Sequence, residues 1–261
     1  TVCGDGTLDP GENCPADKKN IAPVISNAKP GAGEVFAIGE EITISAKVTD
    51  ADTINDRKLK LVKLEIKKNN ADIKTTPSLS GSNDIFSDTF TTYETGFYNY
   101  LFTAEDKQWA VTTFSGKFEV SLKVEKPQIK TIKDSYNLDE IVEISTDSKI
   151  KNLNSKPFKA HLSFSLDYVD TNQGGKRINI FTLKGNKLEE VDDVLALDKQ
   201  QFKGYTPESN NKGHGTYVIS AFLEDPSGNI ITDNGGKEVV AEHSFNLVNK
   251  CGDGIQKIGV E

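Results

Sequence analysis

Four carboxylate side chains near the start of the chain have the type and the density that a metal site needs. Asp5, Asp9, Glu12 and Asp17 lie within residues 3–17, which read CGDGTLDPGENCPAD. Carboxylate oxygens are the ligands that Ca²⁺ prefers, and the glycines of this run permit tight turns. The spacing lacks the Glu at position 12 of an EF-hand loop. Two interpretations therefore stay open: a calcium site, and an acidic turn that binds no metal.

A second acidic candidate follows the first clearly alternating segment of the chain. Asp50 and Asp52 end that segment, and Asn55 and Asp56 come shortly after them. These oxygen-bearing side chains could bind Ca²⁺ at the edge of a domain. Turns also favour Asp and Asn, because their side chains accept hydrogen bonds from the nearby backbone. Calcium and an ordinary turn are both compatible with this segment.

The three cysteines favour one short disulfide between Cys3 and Cys14. In the chain-entropy model, a loop of this size is stabilised by about 3 kcal/mol. Cys251 would then pair with a cysteine beyond residue 261. The alternative joins Cys251 to Cys3 or Cys14 and ties the two ends of the chain together. Zinc is not expected, because the sequence has no CxxC motif and no His near these cysteines.

Trp109 is the single tryptophan of the chain, in the segment Asp-Lys-Gln-Trp-Ala between two predicted strands. On an exposed turn, its ring could stack on a sugar, which makes Trp109 a possible ligand contact. In a core, the same ring would need no functional explanation.

Catalytic motifs do not occur in the sequence, and we predict that the chain is not an enzyme. The three histidines, His161, His214 and His243, are far apart and form no HExxH spacing. There is no GxSxG elbow and no GxxxxGK[ST] loop. No catalytic residue is therefore proposed.

Composition excludes two further classes of partner. The chain has 261 residues, with 31 basic and 39 acidic side chains, which gives a net charge of −8. An acidic chain with dispersed lysines does not build the positive field that nucleic acids require. No apolar run approaches the roughly 18 residues of a membrane helix, so no membrane insertion is expected in this segment.

Alternating apolar and polar residues predict strands along most of the chain. Such runs occur at 41–48, 59–66, 96–103, 116–124, 141–145, 161–168, 178–183, 216–223 and 239–247. In the second run, the apolar pairs at 59/61 and 64/66 are out of phase, which predicts a β-bulge. Only residues 187–199 suggest a helix. Many short strands with regular turns indicate an all-β chain of antiparallel sandwiches.

The domain organisation follows from lengths and repeats. Residues 3–11 (CGDGTLDPG) match residues 251–259 (CGDGIQKIG) at an offset of 248, which predicts one unit of a longer array. Lys257 and Val260 replace Asp9 and Glu12 in the second copy, which weakens the calcium interpretation. We predict a cysteine-rich linker at 1–20, sandwiches at 21–125 and 126–249, and the start of the next linker at 250–261.

The two predicted sandwiches also end alike. Residues 96–106 (GFYNYLFTAED) and 215–225 (GTYVISAFLED) both read Gly-x-Tyr, then an apolar strand, then Glu-Asp. These ends, and the segment 23–52, resemble bacterial and archaeal immunoglobulin-like surface modules, the cadherin-like and fibronectin-III-like ones included. The acidic run at 3–17 looks like the CGDG-type linkers between modules of exported proteins. The resemblance implies two tandem immunoglobulin-like sandwiches, and it implies structural roles for Tyr98 and Tyr217.

The resemblance also implies a function and a location. It suggests an extracellular, structural or adhesive segment of a cell-surface protein, whose calcium- and disulfide-stiffened linkers and sandwich edges could assemble a fibre or surface layer. Its partners would be like subunits, other surface components or a polysaccharide. The alternative is an accessory carbohydrate-binding region of a secreted hydrolase.

Overall fold

The computed structural model of the chain describes residues 20–51, 59–197, 200–203 and 212–248. These residues form nineteen β-strands and one short 3₁₀ turn at Thr171–Gln173, without an α-helix among them. The prediction of an all-β chain of antiparallel sheets is confirmed. The linkers predicted at 1–20 and 250–261 lie outside the described residues, except for Asn20.

The chain divides into two compact units. The first comprises the described residues within 1–36, 40–92 and 96–120, and the second comprises those within 37–39, 93–95 and 121–261. Nine strands lie between residues 24 and 121: β1 (Val24–Lys29), β2 (Val35–Ala37), β3 (Ile42–Thr49), β4 (Leu59–Lys68), β5 (Ala71–Thr76), β6 (Gly81–Ser82), β7 (Ile85–Phe90), β8 (Gly96–Asp106) and β9 (Val111–Ser121).

Ten strands follow: β10 (Ser135–Asn137), β11 (Ile141–Glu143), β12 (Lys149–Lys151), β13 (Phe158–Asp170), β14 (Lys176–Leu183), β15 (Leu188–Val191), β16 (Val194–Ala196), β17 (Gln201–Lys203), β18 (Gly215–Glu224) and β19 (Val240–Val248).

The first unit contains two sheets that share an apolar core. Their strand orders are β1-β3-β7-β6 and β2-β9-β8-β4-β5. β3 buries every second residue, as its sequence predicts, with Ile42 and Ile44 fully enclosed. The rings of Tyr98 and Phe118, on neighbouring strands, stack with centroids 5.5 Å apart and planes inclined by 10°. Burial of such aromatic side chains is the main favourable contribution to the stability of a core of this kind.

The predicted irregularity in β4 is present. The pairing of β4 with β8 shifts register between Leu59 and Leu61. Because side chains alternate between the two sheet faces, one extra residue restores the buried phase for Leu64 and Ile66. The extra residue, Lys60, is exposed.

The second unit is organised around one larger sheet with the order β10-β19-β18-β13-β14, in which β15 also pairs with β13. Two short ladders, β11 with β17 and β12 with β16, form separate two-stranded sheets. β10 pairs with β19 in parallel, which is an exception to the antiparallel arrangement predicted from the sequence. The rings of Tyr217 and Phe245 stack in the core with centroids 5.9 Å apart.

The helix predicted over residues 187–199 is wrong. Up to residue 197, this segment forms β15 and β16, which pair with β13 and β12 respectively. Leu195 and Leu197 are buried with the period of two that a strand gives, whereas a helical period of 3.6 fitted the leucines only in part. Pairing with distant strands therefore decides the structure of this segment.

The described residues form no helix with the length and apolarity of a membrane span.

Candidate contact site at Trp109

Trp109 lies in the turn that joins β8 to β9. The backbone N–H of Trp109 donates to the carbonyl of Asp106 at 3.2 Å, and the N–H of Asp106 donates to the carbonyl of Ala110 at 3.1 Å. The turn therefore closes the hairpin tightly. Trp109 itself is 72% exposed, so it lies on the surface and not in the core.

Asp106 holds this turn through its side chain. One carboxylate oxygen, Oδ1, accepts hydrogen bonds from the N–H groups of Gln108 at 2.8 Å and Ala110 at 2.9 Å. The other, Oδ2, accepts from the side-chain amide of Asn20 at 2.7 Å. Asp is favoured at this place because its carboxylate can accept from backbone groups two residues further on. Asp106 itself is fully buried, so its carboxylate depends on these bonds in place of water.

Two other turns of the chain repeat this arrangement. Asp225 accepts from the N–H groups of Ser227 and Asn229 at 2.8 and 2.9 Å. Asp233 accepts from those of Gly235 and Lys237 at 2.7 and 3.0 Å. The three turns thus have the same bonding pattern, which permits a comparison position by position.

The three turns differ in the residue that occupies the left-handed position. The φ angle is +87° at Gly228 and +72° at Gly236, and it is +67° at Trp109. Glycine adopts this conformation freely, whereas a residue with a Cβ atom loses about 1–2 kcal/mol there. A bulky exposed side chain at such a position suggests a function, because it adds little burial in exchange for the strain.

An ammonium group lies over the tryptophan ring and pairs with a carboxylate. The Nζ atom of Lys60 is 3.4 Å from the ring centroid of Trp109, so the ammonium group covers one ring face. The same Nζ lies 2.8 Å from Oε1 of Glu105. The side chains of Lys60 and Glu105 are 38% and 18% exposed. Together, Trp109, Lys60 and Glu105 form what we call the Trp109 site.

The sheet fixes the relative positions of these residues. Leu61, Glu105 and Val111 lie in one row across β4, β8 and β9. The bulge in β4 places Lys60 next to this row, and the turn places Trp109 at its end. The arrangement offers an aromatic surface, a hydrogen-bond donor and an acceptor within one small area. Such a combination can bind a molecule that has both apolar and hydroxyl surfaces.

Sequence reasoning found Trp109 but missed Lys60 and Glu105. The broken alternation at residues 59–61 predicted the bulge, yet the pairing of β4 with β8, which brings Lys60 to Glu105, is not readable from spacing. Among the predicted site residues, only Trp109 and Asp50 are described, and Asp50 directly follows β3.

Apart from Asp50, the residues predicted to bind calcium or to form the disulfide lie outside the described residues. They are Asp5, Asp9, Glu12, Asp17, Asp52, Cys3 and Cys14. In the described part of the chain, no group of three His, Cys, Asp or Glu side chains is placed to hold a metal ion. Calcium and the disulfide stay predictions.

Tyr98 and Tyr217, for which the resemblance implies structural roles, are both buried but make different contacts. The hydroxyl of Tyr217 donates to the backbone carbonyl of Gly213 at 2.9 Å. The hydroxyl of Tyr98 lies 3.1 Å from Oγ1 of Thr92, a side-chain group. Burial, and then the neighbouring Tyr168, raise the pKa of Tyr217 to about 12.

Comparisons with known proteins identify no family. No family model matches the chain, and no curated protein matches it. Among solved structures, the chain is similar to an engineered protein, with 15% identity and a TM-score of 0.32 over 40% of this chain and 21% of that chain. It is also similar to fibronectin(III)-like modules of Clostridium thermocellum CbhA, with 20% identity and a TM-score of 0.27 over 37% of this chain and 94% of that chain.

A third similar structure is SGBP-B of the Bacteroides ovatus mixed-linkage glucan utilization locus, solved in complex with a mixed-linkage heptasaccharide. The identity is 16% and the TM-score 0.30, over 88% of this chain and 48% of that chain. This chain therefore spans about a fifth of the engineered protein and about half of SGBP-B. Because every identity is below 25% and every TM-score below 0.5, these likenesses carry no argument about what the chain binds.

Proposed function

We propose that this chain is a structural or adhesive segment of an exported cell-surface protein, and that its first unit makes an adhesive contact through the Trp109 site. The β-units supply a scaffold, and the turn between β8 and β9 presents the contact residue. Rigid scaffolds that carry function on their connecting loops are common among sandwich folds.

One observation carries this proposal. The exposed Trp109 occupies a left-handed backbone position that the two equivalent turns give to glycine. Stability alone favours glycine at that position, so the tryptophan is best explained by a contact that it makes outside the chain. Aromatic side chains of this size are the residues that most often dominate binding energy at protein surfaces.

The predicted linkers extend the proposal to assembly. We propose that Asp5, Asp9, Glu12 and Asp17 bind Ca²⁺ and that a Cys3–Cys14 disulfide closes the same segment. Asp50 and Asp52 are proposed as further calcium ligands. These features would stiffen the connections between units, and sheet edges would then allow copies to associate into a fibre or layer.

Assembly is tested by negative-stain electron microscopy of the purified chain in millimolar Ca²⁺ and in EDTA. We expect ordered fibres, tubes or sheets in Ca²⁺ that dissolve in EDTA. Assemblies that persist in EDTA would support the structural role and overturn the calcium proposal. Uniform single particles under both conditions would overturn self-assembly for this segment.

Adhesion is tested with beads that carry the chain, alone and together with a long polysaccharide that can bridge two beads. We expect aggregation in at least one of these conditions, and we expect beads that carry the Trp109→Gly variant to stay dispersed in both. The variant adopts the residue found in the two equivalent turns, so the fold is retained. Aggregation that is unchanged in the variant would remove the Trp109 site from adhesion.

A second candidate function, an accessory carbohydrate-binding region of a secreted hydrolase, is favoured by the polar groups beside Trp109. Lys60 and Glu105 supply a donor and an acceptor next to the aromatic ring. Such a region would bind a polysaccharide without any association between copies of the chain.

A further inference from the structure

We propose that the Trp109 site binds a neutral polysaccharide, with Trp109 stacked on one sugar ring and the Lys60–Glu105 pair bound to two adjacent hydroxyl groups of that ring. This inference rests on the proposed function, because it names the ligand of the same contact site.

The aromatic ring selects the kind of surface that the ligand must have. The face of a tryptophan ring carries partial negative charge, which attracts the weakly positive C–H groups on the flat side of a pyranose. The same face now holds the ammonium group of Lys60, at 3.4 Å from the centroid. An exposed cation–π contact is weak, so a sugar ring can displace the ammonium group toward the ring edge.

The charged pair selects the functional groups of the ligand. Lys60 can only donate hydrogen bonds and the carboxylate of Glu105 can only accept them, and their atoms lie 2.8 Å apart. Two adjacent hydroxyls match this pair, because one can accept from Lys60 while the other donates to Glu105. Displacement from the ring then gives Lys60 a new partner in place of the lost contact.

The charge balance of the pair favours a neutral ligand. One ammonium and one carboxylate at this distance give the pair no net charge. A uronic acid would bring its carboxylate against Glu105, which like-charge repulsion disfavours. A neutral glycan avoids this repulsion, and it lets Lys60 and Glu105 remain close to each other.

The single tryptophan makes the site directly measurable. Because the chain contains one Trp, its tryptophan fluorescence, excited at wavelengths that tyrosine does not absorb, reports on Trp109 alone. We would titrate the whole chain with cellohexaose, mannohexaose and xylohexaose, and with polygalacturonate as the anionic comparison. We expect at least one neutral oligosaccharide to produce a saturable fluorescence change, and polygalacturonate to produce none.

Affinity electrophoresis in gels that contain the corresponding neutral polysaccharide tests the residues. We expect Trp109→Gly to lose retardation, and Lys60→Ala and Glu105→Ala each to weaken binding about tenfold, which corresponds to the loss of one charged hydrogen bond. The matched control is the pair Lys63–Glu65 on the same strand, at 3.0 Å. Within the described part of the chain, Lys63 makes no cation–π contact. Lys63→Ala and Glu65→Ala should leave retardation unchanged.

Several outcomes would overturn the proposal. Tighter binding by Lys60→Ala would mean that Lys60 only covers the ring and takes no part in recognition. Binding that survives in Trp109→Gly would place the sugar elsewhere. If no polysaccharide binds while the bead aggregation described above depends on Trp109, the ligand is a protein, so the sugar proposal fails and the adhesive function stands. If neither occurs, both fail.

Discussion

Single residues decide how the three aspartate-centred turns are used. Gly228 and Gly236 adopt the left-handed conformation without strain. The turn at Gly236 also packs within its own unit, since the side chain of Asn234 accepts from the N–H of Leu122 at 2.8 Å. Trp109 adopts the same conformation against its intrinsic preference. Its contact with the ammonium of Lys60 offsets part of the backbone strain, because an exposed cation–π contact contributes about 0.5–1 kcal/mol. The difference between strain and gain is small, which explains how the turn accepts a tryptophan at all.

Buried Tyr217 should make the stability of the chain fall in alkaline solution. Its phenol is enclosed, donates to the carbonyl of Gly213, and has a pKa of about 12 in the folded protein. The pKa of an unfolded tyrosine is about 10, so folding favours the protonated form. The contribution of this group is therefore complete below pH 10 and is lost as the pH rises from about 10 through about 12.

The variant Tyr217→Phe isolates this effect. Urea unfolding at a series of pH values from 7 to 11 should show a variant that is less stable by about 1 kcal/mol near neutrality, because it lacks one hydrogen bond. Above pH 10, the wild type should lose stability faster than the variant. Burial also raises the pKa of Tyr100, and that contribution is common to both proteins. Curves that stay parallel to pH 11 would contradict the assignment.

Strands were predictable where one of their faces is buried, and less so elsewhere. β3, with its strict alternation, and the closing strand β8 match their sequence patterns closely. β18 departs from the predicted alternation, because every residue from Tyr217 to Glu224 is buried. Residues 187–199 predict a helix instead of β15 and β16, because their leucines partly fit a helical period and their pairing partners are distant in sequence. The Trp109 site shows the same limit, since Lys60 and Glu105 are 45 residues apart and meet only through the pairing of β4 with β8.

The edge strand β14 is tied to the sheet by an ion pair as well as by its ladder. Arg177 on β14 reaches Glu242 on β19 with two contacts, of 2.5 and 3.0 Å, although β13 and β18 lie between these strands. The hydrogen bond from Arg177 lowers the pKa of Glu242. The stability that the pair contributes is thus present above the ordinary pKa of Glu, and it is lost as the pH falls through the lowered value.

A double-mutant cycle with Arg177→Gln and Glu242→Gln measures this pair. Both side chains are close to half exposed, at 46% and 44%, so we expect a coupling free energy of about 0.2–1 kcal/mol. The coupling should shrink in 1 M NaCl, because salt screens exposed charges. Lys159–Glu190, a single exposed contact of 3.3 Å, serves as the comparison and should couple more weakly. A coupling free energy above about 2 kcal/mol that is unchanged in 1 M NaCl would show that the pair is shielded from water.

Across the whole molecule, the two units have similar closing strands but use them differently. In the first unit, Glu105 stays accessible and pairs with Lys60. The corresponding Glu224 of the second unit is buried, and its carboxylate accepts from the hydroxyl of Ser163. In the second unit, His161 of β13 lies opposite Glu224 on one side and opposite Leu188 of β15 on the other. The contact chemistry that we propose therefore belongs to the first unit.

The covalent organisation of the chain provides the last prediction. A disulfide between Cys3 and Cys14 would lie within one tryptic peptide, residues 1–18, because no Lys or Arg separates the two cysteines. Cys251 falls in a different peptide, residues 251–257. Without reduction, we expect the first peptide to be lighter than its reduced form by two hydrogen atoms and the second to carry a free or externally paired thiol.

Mass spectrometry of the unreduced digest separates the two arrangements of the cysteines. Peptides 1–18 and 251–257 joined as one species would instead show that the ends of the chain are tied together. Closure of the short loop should raise the stability of the linker segment by about 3 kcal/mol, whereas a cross-link between the ends would close a loop of nearly the whole chain and constrain both units at once. The two arrangements therefore imply different mechanics: a stiff local joint in the first, and a closed chain that cannot extend under load in the second.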